Sequence, residues 1–390
     1  MAYTVLARRY RSQSFDDLIG QEPIARTLQN AIASDRLAHA YLFTGTRGVG
    51  KTSAARIFAK AINGGKPEID AAIMVGQDSD VIEIDAASNR KVEDARELIS
   101  GAIYMPLRGK YKIYILDEVH MLTGEAFNTL LKLMEEPPSH VKFILCTTEV
   151  HKVPPTIQSR CQRYDFRNIP IDLIVRHLSD VLKQEKYSAE QELLFTVAAL
   201  ANGSMRDALS LMDRLLAAGE KKLTLKLLQD LLGLPDRQLM TDFLNAVADG
   251  KPKNALEAMD TLLAKGTSID QVLETLLDRL RDLLILTACG SDSPAVQLSD
   301  ESRQVEATLA KRFDGSSLIH NIALVESTQR SAKTSAAPRA LLDAMVARMA
   351  MSEKLADVTA LVRELSGAAG PAATKAPAKP APVGASTKKS

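Results

Sequence analysis

The sequence predicts an α/β domain built on a parallel sheet, then two all-helical blocks and a structureless tail, and three observations carry that reading. From about Leu37 to Phe166, short β-branched or aromatic runs alternate with amphipathic helical patterns, the rhythm of strands joined by crossover helices. After Pro170 the strand signals stop and apolar residues recur at spacings of three and four. From Gly367 the composition collapses almost wholly to Ala, Pro, Lys, Gly, Ser and Thr, which cannot bury a core.

The strands are expected at Ala40–Thr44, Val81–Asp85, Lys112–Leu116 and Lys142–Cys146, and the helices near Pro23–Ala33, Lys51–Ile62, Val92–Ile103 and Gly124–Met134, with Pro137-Pro138 ending the last. Ile174, Leu178, Val181 and Leu182, then Leu193, Leu194, Val197 and Leu200, place a small helical domain up to about Pro235. Leu239, Phe243 and Val247 share one helical face, and Leu273, Leu276, Leu280 and Leu283 another, in a bundle running to about Leu365. The expected domains are thus 1–166, 167–235, 236–365 and a tail at 366–390 that is disordered or a linker. No repeat of 20–50 residues is evident.

With 390 residues and 46% hydrophobic content, the chain is long enough for several cores. Lys+Arg 49 against Asp+Glu 48 excludes a polybasic coat, although the first 60 residues hold nine basic side chains and four acidic ones. Three cysteines, Cys146, Cys161 and Cys289, form no CxxC pair, which points to a reduced setting and no disulfide framework. Arg8, Arg9 and Arg11 have no apolar stretch behind them, and no run of about 18 apolar residues occurs. A soluble, cytoplasmic protein is expected, with no membrane partner.

Gly45-Thr46-Arg47-Gly48-Val49-Gly50-Lys51-Thr52, followed by Ser53, leaves a strand and opens a helix. That is the context of a phosphate-binding loop: successive N–H groups wrap phosphate oxygens, Lys51 neutralises β/γ charge, and the Thr52 hydroxyl can ligate Mg²⁺. Farther on, the strand Ile113-Tyr114-Ile115-Leu116 runs into Asp117-Glu118. Asp117 suits the Mg²⁺ shell and Glu118 the polarising of an attacking water, which reads as hydrolysis as well as binding. A lone acidic pair would be a solvated strand end; behind a phosphate loop it is not. Thr147-Thr148 ends the next strand and could orient the water or sense the γ-phosphate, although strand propensity alone explains threonine there. Ser159-Arg160-Cys161 and Gly203-Ser204-Met205-Arg206-Asp207 carry no signal as isolated strings.

Taken with Val5-Leu6-Ala7-Arg8-Arg9-Tyr10-Arg11, Ile19-Gly20-Gln21-Glu22, His39-Ala40-Tyr41-Leu42-Phe43, Glu83-Ile84-Asp85-Ala86-Ala87-Ser88, Asp117-Glu118-Val119-His120-Met121-Leu122 and Leu133-Met134-Glu135-Glu136-Pro137-Pro138, these strings resemble the gamma/tau subunits of bacterial DNA polymerase III. The resemblance runs from about residue 3 to Pro338-Arg339-Ala340-Leu341-Leu342. It implies an AAA+ P-loop ATPase module, a helical lid and a helical collar through which subunits join as homo- or hetero-oligomers. It further implies ATP and Mg²⁺ as ligands, and delta- and delta-prime-type subunits, a sliding clamp and primed DNA as partners. By the same resemblance, Arg160 matches an arginine finger reaching a neighbouring subunit's ATP, and Arg206 a lid sensor acting on its own. Thr148 matches the sensor beside Asp117, Thr147 being the alternative, and Ala7, Arg8, Arg11 and the Ile19-Gly20-Gln21 stretch match the adenosine-side wall.

One departure is plain. The family normally carries a four-cysteine zinc module between the phosphate-loop helix and the next strand, whereas Asn63–Asp80 contains neither Cys nor His, so zinc is not expected there. Ser88-Asn89-Arg90-Lys91 ahead of the Val92 helix suggests a DNA-backbone contact through Arg90 and Lys91, the alternative being a capped, solvated helix start. The function expected is ATP-driven loading of the clamp during DNA replication. The competing expectations are a non-hydrolysing scaffold in the same assembly and a different AAA+ machine on DNA junctions. No polymerase chemistry is expected, since the one well-placed carboxylate pair already serves the ATP site. Whether Ser390 is a natural end or a truncation, and the ring stoichiometry, stay open.

Overall fold

A computed structural model of the chain describes residues 4–88, 101–102, 104–293 and 295–351. The expectations for Arg90, Lys91, all but residues 101–102 of the Val92–Ile103 helix, and the tail from 366 therefore lie outside the described residues. The chain divides into two compact units, Met1–Leu232 with Gln297–Ser302, and Gly233–Val296 with Arg303–Ser390.

The first unit opens with a short helix α1 (Leu6–Arg9) and α2 (Glu22–Ala33), then β1 (Ala40–Thr44) and α3 (Lys51–Asn63). There follow α4 (Pro67–Val75), β2 (Val81–Asp85), β3 (Lys112–Asp117), α5 (Gly124–Glu135), β4 (Val141–Thr147), α6 (Pro155–Gln158) and β5 (Gln162–Asp165). The five strands form one parallel sheet in the order β2-β3-β4-β1-β5, the arrangement of an AAA+ P-loop module. Both faces are covered, which is why β1 and β4 are buried along their whole length and, Lys142 apart, read as apolar runs ending in threonine. Side chains alternate between the faces: Tyr41, Phe43, Ile113, Ile115 and Ile144 pack with Ala54, Ile57 and Phe58 of α3, while Leu42, Tyr114, Leu116, Phe143 and Leu145 pack with Phe127, Leu130 and Met134 of α5.

Besides the one-turn helices α1 and α6, two elements of this part lie outside the expected set. β5 is polar except for Tyr164, because it pairs only with β1 at the sheet edge. α4 occupies the Asn63–Asp80 segment, starting on Pro67 and stopped by Gly76 in the left-handed region at φ 76°. Its Ile69, Ile73 and Met74 are buried in the core beside α3, and Arg56 ties it down by donating from Nη1 to Met74 O at 2.7 Å.

A helical lid follows, α7 (Ile171–Glu185), β6 (Ser188–Ala189), α8 (Gln191–Leu200) and α9 (Met205–Leu216), and this unit continues with β7 (Lys222–Leu223) and α10 (Leu225–Leu232). The expectation that strands cease after Pro170 needs correction: β6 and β7 pair in parallel, Ser188 opposite Lys222. Two residues are too few to leave a periodic signal. Ser299 and Ser302 join this unit by donating to Glu192 of α8.

The second unit is helical, with α11 (Arg237–Ala248), α12 (Pro252–Ala264), α13 (Ile269–Cys289), α14 (Asp300–Ala310, which begins in the first unit), α15 (Gly315–Ala332) and α16 (Pro338–Ala350). Val272, Leu273, Leu276, Leu280 and Leu283 of α13 are fully buried. Within that core Arg279 donates to Glu306 at 2.5 Å and to Thr241 at 3.0 Å, pairing a buried charge that would otherwise be costly. Burial also pushes the Asp282 carboxyl up to about 6. Among the described residues no helix is long and apolar enough to cross a membrane.

Candidate functional site

The carboxyl ends of parallel strands are where an α/β sheet presents ligand-binding loops, and the register brings the motifs together there. Thr44 lies opposite Thr147, and Leu116 opposite Leu145, so the phosphate loop, Asp117 and Thr147-Thr148 share one edge. The loop bends through three glycines with positive φ: Gly45 at 141°, Gly48 at 76° and Gly50 at 101°. Gly48 is required twice over, since a Cβ there would also meet Ser204 Oγ of the lid at 1.9 Å.

Lys51, 6% exposed, donates from Nζ to Gly45 O and Thr46 O at 2.8 Å each. Thr52 Oγ1 donates to Asp117 Oδ2 at 2.7 Å, and the Glu118 N–H donates to Asp117 Oδ1 at 3.0 Å. Burial pushes the Asp117 carboxyl up and the Lys51 ammonium down. Both charges are held at a desolvation cost that a polyanion and its counter-cation would relieve. Glu118 itself sits in the left-handed region, φ 47°, ψ 44°, a strained position for a residue with a Cβ. Its Oε2 accepts from Thr148 Oγ1 at 3.0 Å, whereas Thr147, fully buried, turns its hydroxyl to His120 Nδ1 at 3.1 Å.

These groups open into a cavity of about 660 Å³, large enough for a nucleotide. Of the residues singled out in the sequence, Ala7, Arg8, Arg11, Ile19, Arg47, Gly48, Val49, Gly50, Lys51, Thr52, Ser53, Asp117, Glu118 and Arg206 line it. Gly45 and Thr46 contribute their carbonyls to Lys51 instead, and Thr46 Oγ1 lies 2.6 Å from Asn168 Oδ1. Gly20 packs beside Ile169 and Leu173. Thr148 stands behind Glu118. Arg160 lies outside the lining altogether: it donates to Thr156 O and to Glu135 Oε1, at 2.7 Å each, and is one-third exposed. Arg206 N reaches Gly48 O at 3.4 Å, bringing the start of α9 over the phosphate loop.

Further residues around the cavity were assigned no individual role from the sequence. Arg9 and Tyr10 reach Glu185 of α7, at 2.7 and 2.5 Å, and Leu6 N donates to Asp213 of α9 at 3.3 Å. The N-terminal segment is thereby fastened to the lid along one wall of the cavity. Arg56, in a two-pronged pair with Glu83 at 2.6 and 2.8 Å, faces the same space. His177, Ile169, Met205 and Leu209 supply a lid-side wall. Seven Arg and Lys side chains against three carboxylates line the cavity, an electrostatic match to a polyphosphate.

The family model described as DNA polymerase III, delta subunit, matches residues 20–170, that for the DNA polymerase III clamp loader subunit ATPase lid domain matches 173–221, and that for DNA polymerase III subunits gamma and tau domain III matches 223–365. The gamma subunit of DNA polymerase III from Buchnera aphidicola subsp. Schizaphis graminum is 41% identical over 256 residues, covering 63% of this chain and 70% of that one. The chain belongs to the gamma/tau family of DNA polymerase III subunits. Two further members are similar to it: subunit tau/gamma of Haemophilus influenzae, 46% identical over 63% of this chain and 37% of its own, and subunit tau of Bacillus subtilis, 36% identical over 90% and 63%. The chain spans about half the length, or less, of the first curated gamma/tau relatives it matches.

Proposed function

We propose that this gamma/tau-family chain is an ATP-hydrolysing clamp-loader subunit that opens a ring-shaped sliding clamp and places it on primed DNA during replication. The observation that carries the reading is the constellation at one sheet edge: Lys51 in the glycine loop, Thr52 on Asp117, and Glu118 on Thr148. A binding scaffold has no need of a strained glutamate held beside the phosphate loop.

In this reading the loop N–H groups and Lys51 hold the β- and γ-phosphates, and Arg206 reaches the same nucleotide from the lid. Ala7, Arg8, Arg11, Ile19 and Gly20 form the adenosine side. Mg²⁺ fits the donor set, because the Thr52 hydroxyl and the Asp117 carboxylate are hard oxygen ligands 2.7 Å apart. Among the described residues no three His, Cys, Asp or Glu side chains converge as a self-sufficient metal cage, in keeping with an ion that shares its shell with phosphates. Bound there, Mg²⁺ would neutralise charge developing on the phosphates. Glu118 takes the proton of the attacking water as its oxygen bonds the γ-phosphorus and the β–γ bridge breaks, giving ADP and phosphate.

Arg160 acts on the ATP of an adjacent subunit, exchanging Glu135 for phosphate charge. We assign 1–166 to the nucleotide module, 167–235 to the lid and 236–365 to an oligomerising collar, with delta- and delta-prime-type subunits completing the ring. Arg90 and Lys91 are the proposed DNA contacts, and the cytoplasm the proposed location. The test is phosphate release by the assembled complex with and without clamp and primed DNA. Strong joint stimulation is expected; none would favour the non-hydrolysing scaffold.

A further inference from the structure

The carboxylate of Glu118 is met by a second side chain. His120 Nδ1 lies 3.4 Å from Glu118 Oε2, the oxygen that already accepts from Thr148. The imidazole is 6% exposed, with Nδ1 at 3.1 Å from Thr147 Oγ1 and Nε2 at 3.3 Å from Glu149 Oε1. Thr147 Oγ1 in turn accepts the Glu149 N–H at 3.0 Å. Glu118 Oε1 has no protein partner among the described residues. The 3₁₀ turn Val119–Met121, which starts directly from the left-handed Glu118, is what folds His120 back against the carboxylate.

We propose that His120 is a positioning residue for ATP hydrolysis: with Thr148 it fixes Glu118 Oε2 and so leaves Oε1 to the attacking water. This deepens the ATPase reading and rests on it. The terminal torsion of a glutamate is broad and nearly unrestrained on its own. A base has to hold one oxygen in line with the water, and a misplacement of about 1 Å can cost on the order of 100-fold in rate. Two polar groups on the same oxygen restrict that torsion. Glu149 on the far side of the ring fixes the imidazole plane, as an outer partner orients a ligating histidine. Glu149 is itself held by Lys152 at 2.8 Å and lies 3.6 Å from His151. The groups facing the ring are thus Glu118 and Glu149, with Lys152 and His151 behind the latter.

The variants are made in the full chain and assayed in the assembled complex with clamp and primed DNA. In His120→Gln the amide reaches toward Glu149 and abandons Glu118; in His120→Asn it stands where Nδ1 stood, beside Thr147 and Glu118. Expected are a fall in kcat of about 10-fold or more for His120→Gln, ATP affinity within about twofold of wild type, and recovery of most of kcat in His120→Asn. A purely structural histidine would lower thermal stability without this ordering. Wild-type kcat in His120→Gln, or equal losses in the Gln and Asn variants, overturns the proposal. Should His120→Gln fail to fold, Glu149→Gln on the partly exposed partner decides: a lowered kcat with ATP affinity within about twofold of wild type supports the proposal, an unchanged kcat overturns it. Absence of hydrolysis by wild type, or full hydrolysis by Glu118→Gln, instead removes the ATPase reading and the proposal with it.

Discussion

Replacing Gly48 with Ala tests whether the phosphate loop and the lid close on one another as described. The residue has φ 76°, and an added Cβ would meet Ser204 Oγ at 1.9 Å, Ser204 Cβ at 3.0 Å and Arg206 Cβ at 3.2 Å. The left-handed backbone alone costs an alanine about 1 kcal/mol. Ser204 is buried and caps α9 by accepting from Asp207 N at 3.2 Å, so moving its hydroxyl forfeits about 1–2 kcal/mol of capping. Together these amount to about 2–3 kcal/mol, and if nucleotide is held between loop and lid, its affinity should fall about 30- to 150-fold. The assay is calorimetric titration with a non-hydrolysable ATP analogue at fixed Mg²⁺. Adding Ser204→Gly removes both serine contacts while a glycine cap costs only a few tenths of a kcal/mol, so the double variant should recover about tenfold. Binding by Gly48→Ala within threefold of wild type, or a double variant no better than the single, would refute the loop-to-lid closure.

Lys51→Ala should weaken ATP binding by at least about tenfold, because the phosphates would then face loop N–H groups without a compensating cation; calorimetry measures it, and equal affinities would sink the assignment. Arg160→Ala should bind ATP nearly normally and lose hydrolysis. Mixed in one assembly with Lys51→Ala, it should regain some activity, since the Lys51→Ala subunit lends its intact Arg160 to a neighbour; mixed oligomers with no recovery would point to a role within its own chain. In the helical unit, burial raises the Asp282 carboxyl to about 6, above its unfolded value of about 3.9. Folding therefore favours the protonated form, and the associated stability, complete below pH ~3.9, is lost as pH rises through about 6. Asp282→Asn should raise stability at pH 7.5 by about 1–3 kcal/mol and flatten its pH dependence between 4 and 7, as read by denaturant titration.

Much of the candidate nucleotide site was legible because its chemistry is local. A glycine loop between strand and helix, and an acidic pair at a strand end, announce themselves by residue type and spacing. The four sheet strands read from the sequence all appear, with β3 and β4 running slightly farther, to Asp117 and Thr147. β5 escaped because an edge strand paired on one side can be polar, and β6 and β7 because two residues carry no period. The fastening of the N-terminal wall to the lid, and Arg56, escaped for a different reason: Glu185 and Asp213, which hold that wall, are remote in sequence from Tyr10 and Leu6. Only the fold brings such partners together. His120 was visible as part of Asp117-Glu118-Val119-His120, but its place between two carboxylates depends on the left-handed turn at Glu118 and on the register of β4 beside β3.

The most direct test of the account is a paired measurement on Glu118→Gln in the assembled complex, with clamp and primed DNA present. ATP affinity and phosphate release are read side by side with wild type. The variant keeps Lys51, Thr52 and Asp117, and its amide can still accept from Thr148, so it should bind ATP within a few-fold of wild type. It cannot take the proton from water, so release should fall by at least about 100-fold. Phosphate release at the wild-type rate would contradict the assignment of Glu118 and, with it, the reading of this sheet edge as a hydrolytic site.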